Sequence, residues 1–251
     1  MILLDSAQFI SDIHLSGDRP DILRRFLEFM HGPAHEAPGL FVLGDLFEYW
    51  PGDDLLDQDS ADGECSRIVL TSLSEYSASG GFLYLLVGNR DFLIGRRFCR
   101  ATGASLLPDG ELARISNRSI EMLHGDALCT DDHEYQQFKL MVRSAAWREQ
   151  FLAKPLAERH AAMTRMRIES EQTKSNRTPT AMNVNPDAVA REFARTSADL
   201  MVHGHTHQPA CNLHSVGTCT LERWVLPAWY ESGGYIRIDA TGARPLPLSA
   251  N

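Results

Sequence analysis

An aspartate and a histidine, Asp12 and His14, stand two residues apart where the apolar pair Phe9-Ile10 gives way to Ser11. The same build recurs four times along the chain. Gly44-Asp45 follows Phe41-Val42-Leu43, Gly88-Asn89-Arg90-Asp91 follows Leu85-Leu86-Val87, His124 follows Met122-Leu123, and Gly204-His205-Thr206-His207 follows Met201-Val202-His203. Carboxylate, carboxamide and imidazole donors without a thiolate suit a divalent ion such as Mn²⁺, with Fe²⁺ or Zn²⁺ as alternatives. A single structural zinc fits poorly, because such sites are four-coordinate and often use cysteine. Each fragment alone is common by chance, and a lone histidine is more often structural than a ligand. Five in series, each closing an apolar run, point to one shared site.

An apolar run that stops at glycine and a ligand residue reads as a buried strand ending where the backbone closely approaches something. In α/β sheets, ligands gather at the carboxyl ends of strands. Residues 7–13 read as the first strand, 40–43 as the second and 82–87 as the third. Between them, Pro20 to Met30 reads as a helix with Ile22, Leu23, Phe26, Leu27 and Met30 on one face. A second helix runs from about Glu64 to Ala78 and stops at Gly80-Gly81, and a short third one reaches about Ala101. This alternation predicts a largely parallel sheet covered on both faces. Residues 112–115 and 119–123 read as a hairpin about Asn117-Arg118.

From Asp132 to about Ser175 the pattern is helical, with Pro155 separating helices. It reads as an insertion, 132–180, in a core made of 1–131 and 181–251. Lys139 to Arg177 contains nine basic and four acidic residues, which suggests an anionic, partly apolar partner; an ordinary solvated helical hairpin is the alternative. A further helix follows Asn185-Pro186, then strands at 199–202, 211–216, 221–226 and 234–238.

Composition sets outer limits. With 251 residues, 43% of them hydrophobic and 23% charged, the chain suits one globular core with an insertion. No apolar run reaches the roughly 18 residues of a spanning helix, and nothing at the N-terminus resembles a signal peptide. Five cysteines without CxxC spacing suit reduced thiols in the cytoplasm, and a net charge of −9 argues against a general nucleic-acid binder. No obligate protein partner is evident.

The ordered set D-x-H, G-D, G-N-R-D, H and G-H-x-H resembles the calcineurin-like metallophosphoesterase superfamily. The resemblance implies a four-layer α/β/β/α sandwich and two divalent ions. One ion would be held by Asp12, His14 and His207, the other by Asn89, His124 and His205, with Asp45 bridging. Asp45, Asn89 and Arg90 would be the catalytic residues. Two such ions activate water and neutralise a phosphoryl group during in-line attack.

Arg90 narrows the reaction. Many members of the superfamily have a histidine there that protonates an alkoxide leaving group. Arginine is no acid at neutral pH but binds phosphate through two hydrogen bonds, so a leaving group that is itself a phosphate is favoured. The structural alternative is a salt bridge between Arg90 and Asp91.

At longer range the chain is similar to the UDP-2,3-diacylglucosamine diphosphatases of lipid A synthesis, through Ser11 to Ser16, Gly44 to Trp50 with Gly52-Asp53-Asp54, Gly88 to Leu93, His124 to Asp132 and His203 to His207. That family implies hydrolysis of UDP-2,3-diacylglucosamine to UMP and 2,3-diacylglucosamine 1-phosphate at the cytoplasmic face of the inner membrane, by a peripheral enzyme. Its substrate contacts would fall on Asn89, Arg90, Asp132, Ser170 and His205, with Arg167 a further candidate. Lys174 and Arg177 stand near positions where the family has Asn and Lys. Gln208, Pro51 and Pro227 also depart from its pattern. The rival readings are a phosphoesterase for a soluble nucleotide or other phosphodiester, and a metal-binding scaffold without turnover.

Overall fold

Twelve strands and seven helices are present among the described residues of the computed structural model, which are 1–174, 183–217, 219–230 and 233–248, with the backbone alone at 169–174 and 216. The strands are β1 (Ile2–Leu4), β2 (Ala7–Ile10), β3 (Gly39–Leu43), β4 (Phe82–Leu86), β5 (Ser105–Leu106), β6 (Glu111–Ile115), β7 (Arg118–Met122), β8 (Leu200–His203), β9 (Ala210–Val216), β10 (Cys219–Val225), β11 (Gly234–Asp239) and β12 (Gly242–Pro247). The helices are α1 (Pro20–His31), α2 (Ala61–Ala78), α3 (Arg96–Thr102), α4 (His133–Arg143), α5 (Ala145–Leu152), α6 (Leu156–Lys174) and α7 (Pro186–Thr196).

Two six-stranded sheets form, in the orders β12-β11-β2-β3-β4-β5 and β1-β6-β7-β8-β10-β9. The expected parallel arrangement holds for β2 to β5. It fails beyond them, because β11 joins β2 antiparallel and carries β12 as an antiparallel edge. The second sheet is likewise mixed, with β6–β7 and β9–β10 antiparallel and β7–β8 and β8–β10 parallel. Strands β1 and β12 lack a readable pattern: the first has three residues, and the second carries Pro245 and Pro247, which only an edge strand accommodates.

Side-chain alternation builds the layers. In β3, Leu40 and Val42 pack with Ile22, Phe26 and Met30 of α1 and Val69 and Leu73 of α2, whereas Phe41 and Leu43 turn to the other face. There they meet Ile120 and Met122 of β7 and Leu200 and Val202 of β8. Met201, between the last two, points outward onto Val189 and Phe193 of α7. The order is therefore helix, sheet, sheet, helix, with α7 covering the middle of the second sheet's outer face.

Local signals explain most boundaries. Helix α2 begins at Ala61, three residues before the sequence expectation, because Ser60 caps it by accepting from the Gly63 N–H at 3.1 Å. Asn185 caps α7 with Pro186 in its first turn. The first strand stops at Ile10 rather than reaching 13, because the backbone at Asp12 and His14 turns left-handed, with φ of 52° and 56°.

Helices α4 to α6 lie against the first core, where Phe151 and Met163 are buried members of the cluster that contains Trp50 and Phe92. Buried Arg159 of α6 donates to Asp54 Oδ1 at 2.9 Å and to the Pro51 carbonyl.

On the outer face of the second sheet, buried Glu121 accepts from Arg195 Nη2 at 3.0 Å and from Thr196 Oγ1 at 3.1 Å. Burial, and then neighbouring Glu192, push its carboxyl above the usual range. The native state thus holds a proton that the unfolded chain releases near pH 4.3, about the value for a free glutamate. The associated stability is present below that pH and is lost as pH rises through the higher native value. Glu121→Gln is expected to melt above the unmodified protein at pH 9, with the gap closing toward pH 4. A gap independent of pH in calorimetry would contradict this.

Candidate metal centre

The ends of β2, β3, β4, β7 and β8 meet at one rim, and the backbone there is unusual. Among the described residues, seven non-glycine positions have positive φ, and five of them are Asp12, His14, Asp45, His205 and His207. Such a conformation is uncommon for side-chain-bearing residues and marks sites where the surroundings enforce it. Backbone hydrogen bonds do so here: Asp12 N donates to Gly44 O at 3.1 Å, and His14 N to Asp45 O at 3.0 Å, which locks the first loop onto the second. The adjoining glycines leave no room for a side chain. A Cβ on Gly44 would lie 2.6 Å from both Gly88 N and His124 Nδ1, and one on Gly204 would lie 2.1 Å from Asp12 Oδ2.

All seven candidate ligands come together. Asp45 Oδ2 faces a histidine on each side, His124 Nε2 at 3.7 Å and His14 Nε2 at 3.9 Å. Asp12 Oδ1 lies 3.3 Å from His207 Nε2, and its carboxylate also accepts from His205 N at 2.9 Å. Asn89 Oδ1 sits 2.9 Å from both His124 Nε2 and His205 Nδ1. Asp12, His14 and His207 form one group whose ligand atoms lie within 4.8 Å of one another, and Asp12, Asp45 and His124 form a second.

This chemistry fits divalent ions. His14 is buried, yet its Nε2 has no hydrogen-bond partner among the described residues. Burial opposes a charge on His124, but Asp45, Asp126 and Asp12 outweigh it and raise its pKa to about 9. Asp12 is held well below the usual carboxylate range, since His207, His124 and His14 overcome the effect of its burial. A site that draws a proton onto buried His124 has a surplus of negative charge to offer a cation.

Neighbours hold these groups in place. Buried Asp91 accepts from Gly88 N at 2.7 Å and Leu46 N at 2.8 Å, tying the second and third loops together. Its carboxyl is pushed up to about 6 by burial and then by Asp45. Asp91 is therefore not the partner of Arg90, whose Nη1 instead lies 3.7 Å from Glu48 Oε1. Glu48 also meets His14 Nδ1 at 3.0 Å and Arg167 Nη1 at 3.2 Å. Burial pushes the Glu48 carboxyl up, but His14, Arg90 and Arg167 overcome this and hold it low. Tyr230 stacks on His14, with ring centroids 4.7 Å apart, and Tyr135 stacks on His205 at 6.1 Å.

Arg90 and Arg167 thus converge beside the centre. Asp132 caps α4 by accepting from Tyr135 N at 3.1 Å. Ser170 and Lys174 lie where only the backbone of α6 is described, and Arg177 lies outside the described residues. Glu48, Tyr230 and Asp126 were not singled out by sequence reasoning. Asp126 gathers Lys139 Nζ at 2.7 Å, Arg143 Nη2 at 3.3 Å and the Tyr135 hydroxyl at 2.5 Å, and so docks α4 beside the rim. Its position two residues after His124 was the available signal. Glu48 stands within the Gly44 to Trp50 motif, but no local spacing gives its role, and Tyr230 lies in no motif, since the partners of both are far away in sequence.

Two back-to-back sheets with these donors at five strand ends define a phosphoesterase of the calcineurin-like class, and the family model Calcineurin-like phosphoesterase matches residues 9–209. Curated relatives refine this. A UDP-2,3-diacylglucosamine hydrolase from Aromatoleum aromaticum is 43% identical over 94% of this chain and 94% of its own. Proteins of the same name are 40% identical in Serratia proteamaculans, over 92% of this chain and 94% of theirs, and 41% identical in Chromobacterium violaceum, over 96% and 98%. The chain belongs to the UDP-2,3-diacylglucosamine hydrolase family of calcineurin-like phosphoesterases.

The contact between Gly204 and Asp12 is directly testable. Gly204→Ala should displace the Asp12 carboxylate, cutting phosphodiesterase turnover at least about a hundredfold, as loss of a positioned catalytic group does. Turnover within a few-fold of the unmodified protein would show that the loop yields instead.

Proposed function

We propose that this protein hydrolyses the pyrophosphate bond of UDP-2,3-diacylglucosamine, releasing UMP and 2,3-diacylglucosamine 1-phosphate in lipid A synthesis. The observation that carries the reading is the near full-length similarity to hydrolases named for that substrate, combined with a complete set of seven donors at one rim. Asp12, His14 and His207 would hold one divalent ion and Asn89, His124 and His205 the other, with Asp45 shared. The all-oxygen-and-nitrogen donor set favours Mn²⁺. When bound, such ions supply Lewis-acid charge to the phosphoryl oxygens and activate water at neutral pH.

The chain's own residues account for the rest. Water attacks the α-phosphorus, its oxygen stays with UMP, and the bridging oxygen leaves with the sugar 1-phosphate. That leaving group is already a stable anion and needs no strong acid, which suits an arginine at position 90 rather than a histidine. Arg90 and Arg167 clamp the diphosphate from the side of Glu48. Asn89 and His205 would contact it as well, and by the family resemblance Asp132, Ser170, Lys174 and Arg177 would extend the substrate contacts.

Residues 132–180, of which 175–180 lie outside the described residues, would act as a cap on the core formed by 1–131 and 181–251, and the cap would receive the acyl chains. Leu140, Met141, Leu152 and Ile168 support this, because all four are exposed there, Leu140 to 75%. Phe151 and Met163 of the same helices are buried in the core cluster instead. No helix among the described residues is long and apolar enough to cross a membrane. The exposed apolar cap residues suit peripheral contact with the inner-membrane surface from the cytoplasmic side.

Two experiments test the reading. Asp45→Ala should lower Mn²⁺-supported turnover at least about a thousandfold, because both ions lose a shared anionic ligand. Near-normal hydrolysis at saturating Mn²⁺ would refute the dinuclear assignment. Leu140→Asp and Leu152→Asp, both at exposed positions, should cut lipid hydrolysis about tenfold or more, since each buried methylene is worth about 0.8 kcal/mol. A small chromogenic phosphodiester should be hydrolysed as before. Equal loss on both substrates would mean that these helices merely stabilise the fold, and no loss on either would point to the soluble-nucleotide alternative.

A further inference from the structure

Glu48 occupies an uncommon position for a buried carboxylate. Its side chain is 8% exposed and has four polar neighbours, two at each oxygen. Oε2 lies 3.0 Å from His14 Nδ1 and 3.4 Å from the Tyr230 hydroxyl. Oε1 lies 3.2 Å from Arg167 Nη1 and 3.7 Å from Arg90 Nη1. The backbone fixes this arrangement, because Glu48 N donates to Leu15 O at 3.0 Å and Leu15 bridges Phe47. The first and second strand-end loops therefore carry His14 and Glu48 as one unit.

We infer that Glu48 is a positioning residue with a separate task for each oxygen: Oε2 orients the His14 ring so that Nε2 faces Asp45, and Oε1 holds Arg90 and Arg167 ready for an anionic phosphate. The inference rests on the proposed role of His14 as an ion ligand. A carboxylate beside Nδ1 favours the tautomer that carries its proton there, which leaves the Nε2 lone pair for a cation. The arginines are ordered in advance, so a phosphate that takes them over need not restrict two long side chains. Two guanidinium groups against one carboxylate leave a net positive charge. The pairing therefore does not cancel their attraction for the diphosphate.

The two tasks separate by substitution in the full-length protein. Glu48→Gln keeps an oxygen able to accept from His14 Nδ1–H but removes the charge that holds the arginines. Glu48→Ala removes both. Mn²⁺ affinity is read by competition with a fluorescent chelator, kinetics on the lipid substrate give KM and kcat, and melting of the metal-free proteins checks folding. Glu48→Ala is expected to bind Mn²⁺ about 10- to 100-fold more weakly. Glu48→Gln should stay within about threefold of the unmodified protein, while its KM rises by more than its kcat falls. Unchanged Mn²⁺ affinity in Glu48→Ala would overturn the inference, as would an equal loss in both variants. If the unmodified protein fails to bind Mn²⁺ in the same assay, the ligand assignment itself falls and the role of Glu48 with it.

Discussion

The centre depends on a backbone constraint: five side-chain-bearing residues at three strand ends are held in left-handed conformation. Each such residue costs on the order of 1 kcal/mol or more relative to a relaxed turn, and a loop left to itself would not keep it. Two things maintain the conformation. Cross-loop hydrogen bonds such as Asp12 N to Gly44 O bind each strained turn to the next, and buried Asp91 accepts N–H groups from two loops at once. Behind them, the two sheets pack through Phe41, Leu43, Met122 and Val202 and fix where each strand stops. Hydrophobic burial between the sheets thus stabilises strain at their rim. That strain aims carboxylates and imidazoles at a common point.

Much of the centre was legible from residue types alone. Asp12, His14, Asp45, Asn89, His124, His205 and His207 each end an apolar run, and strand ends in such sheets converge. What could not be read is what supports them. Glu48 reaches His14, Arg90 and Arg167 across 34, 42 and 119 residues of chain, and no local spacing encodes such contacts. The layers were legible only through resemblance. Alternation predicts buried strands but not that they divide between two sheets, and β1 and β12 have no pattern at all.

The charge of the helical segment shows how composition can mislead. Its excess of basic residues reads as a surface awaiting an anion. Four of those nine residues are already engaged by core carboxylates: Lys139 and Arg143 by Asp126, Arg159 by Asp54 and Arg167 by Glu48. Part of the positive charge is therefore used in docking the helices onto an acidic core, and Arg167 is set beside the candidate metal centre through Glu48. Partly buried pairs of this kind are costly to break from one side only, because the remaining charge is left without its partner.

Those docking pairs also bear on how the molecule comes together. Asp126 lies 13 residues from Lys139, but Asp54 lies 105 residues from Arg159. Helix α4 can thus find its anchor early, as a near neighbour in the chain. Helix α6 has no anchor until β3 and the loop after it stand in their final place, and closing so long a loop carries a larger entropic cost. These separations predict that the segment assembles from its N-terminal end, with α6 the last to seat. By the same reasoning, opening of α6 leaves the sheets intact, and hydrogen exchange in α6 is expected to outpace that in the sheets beneath it.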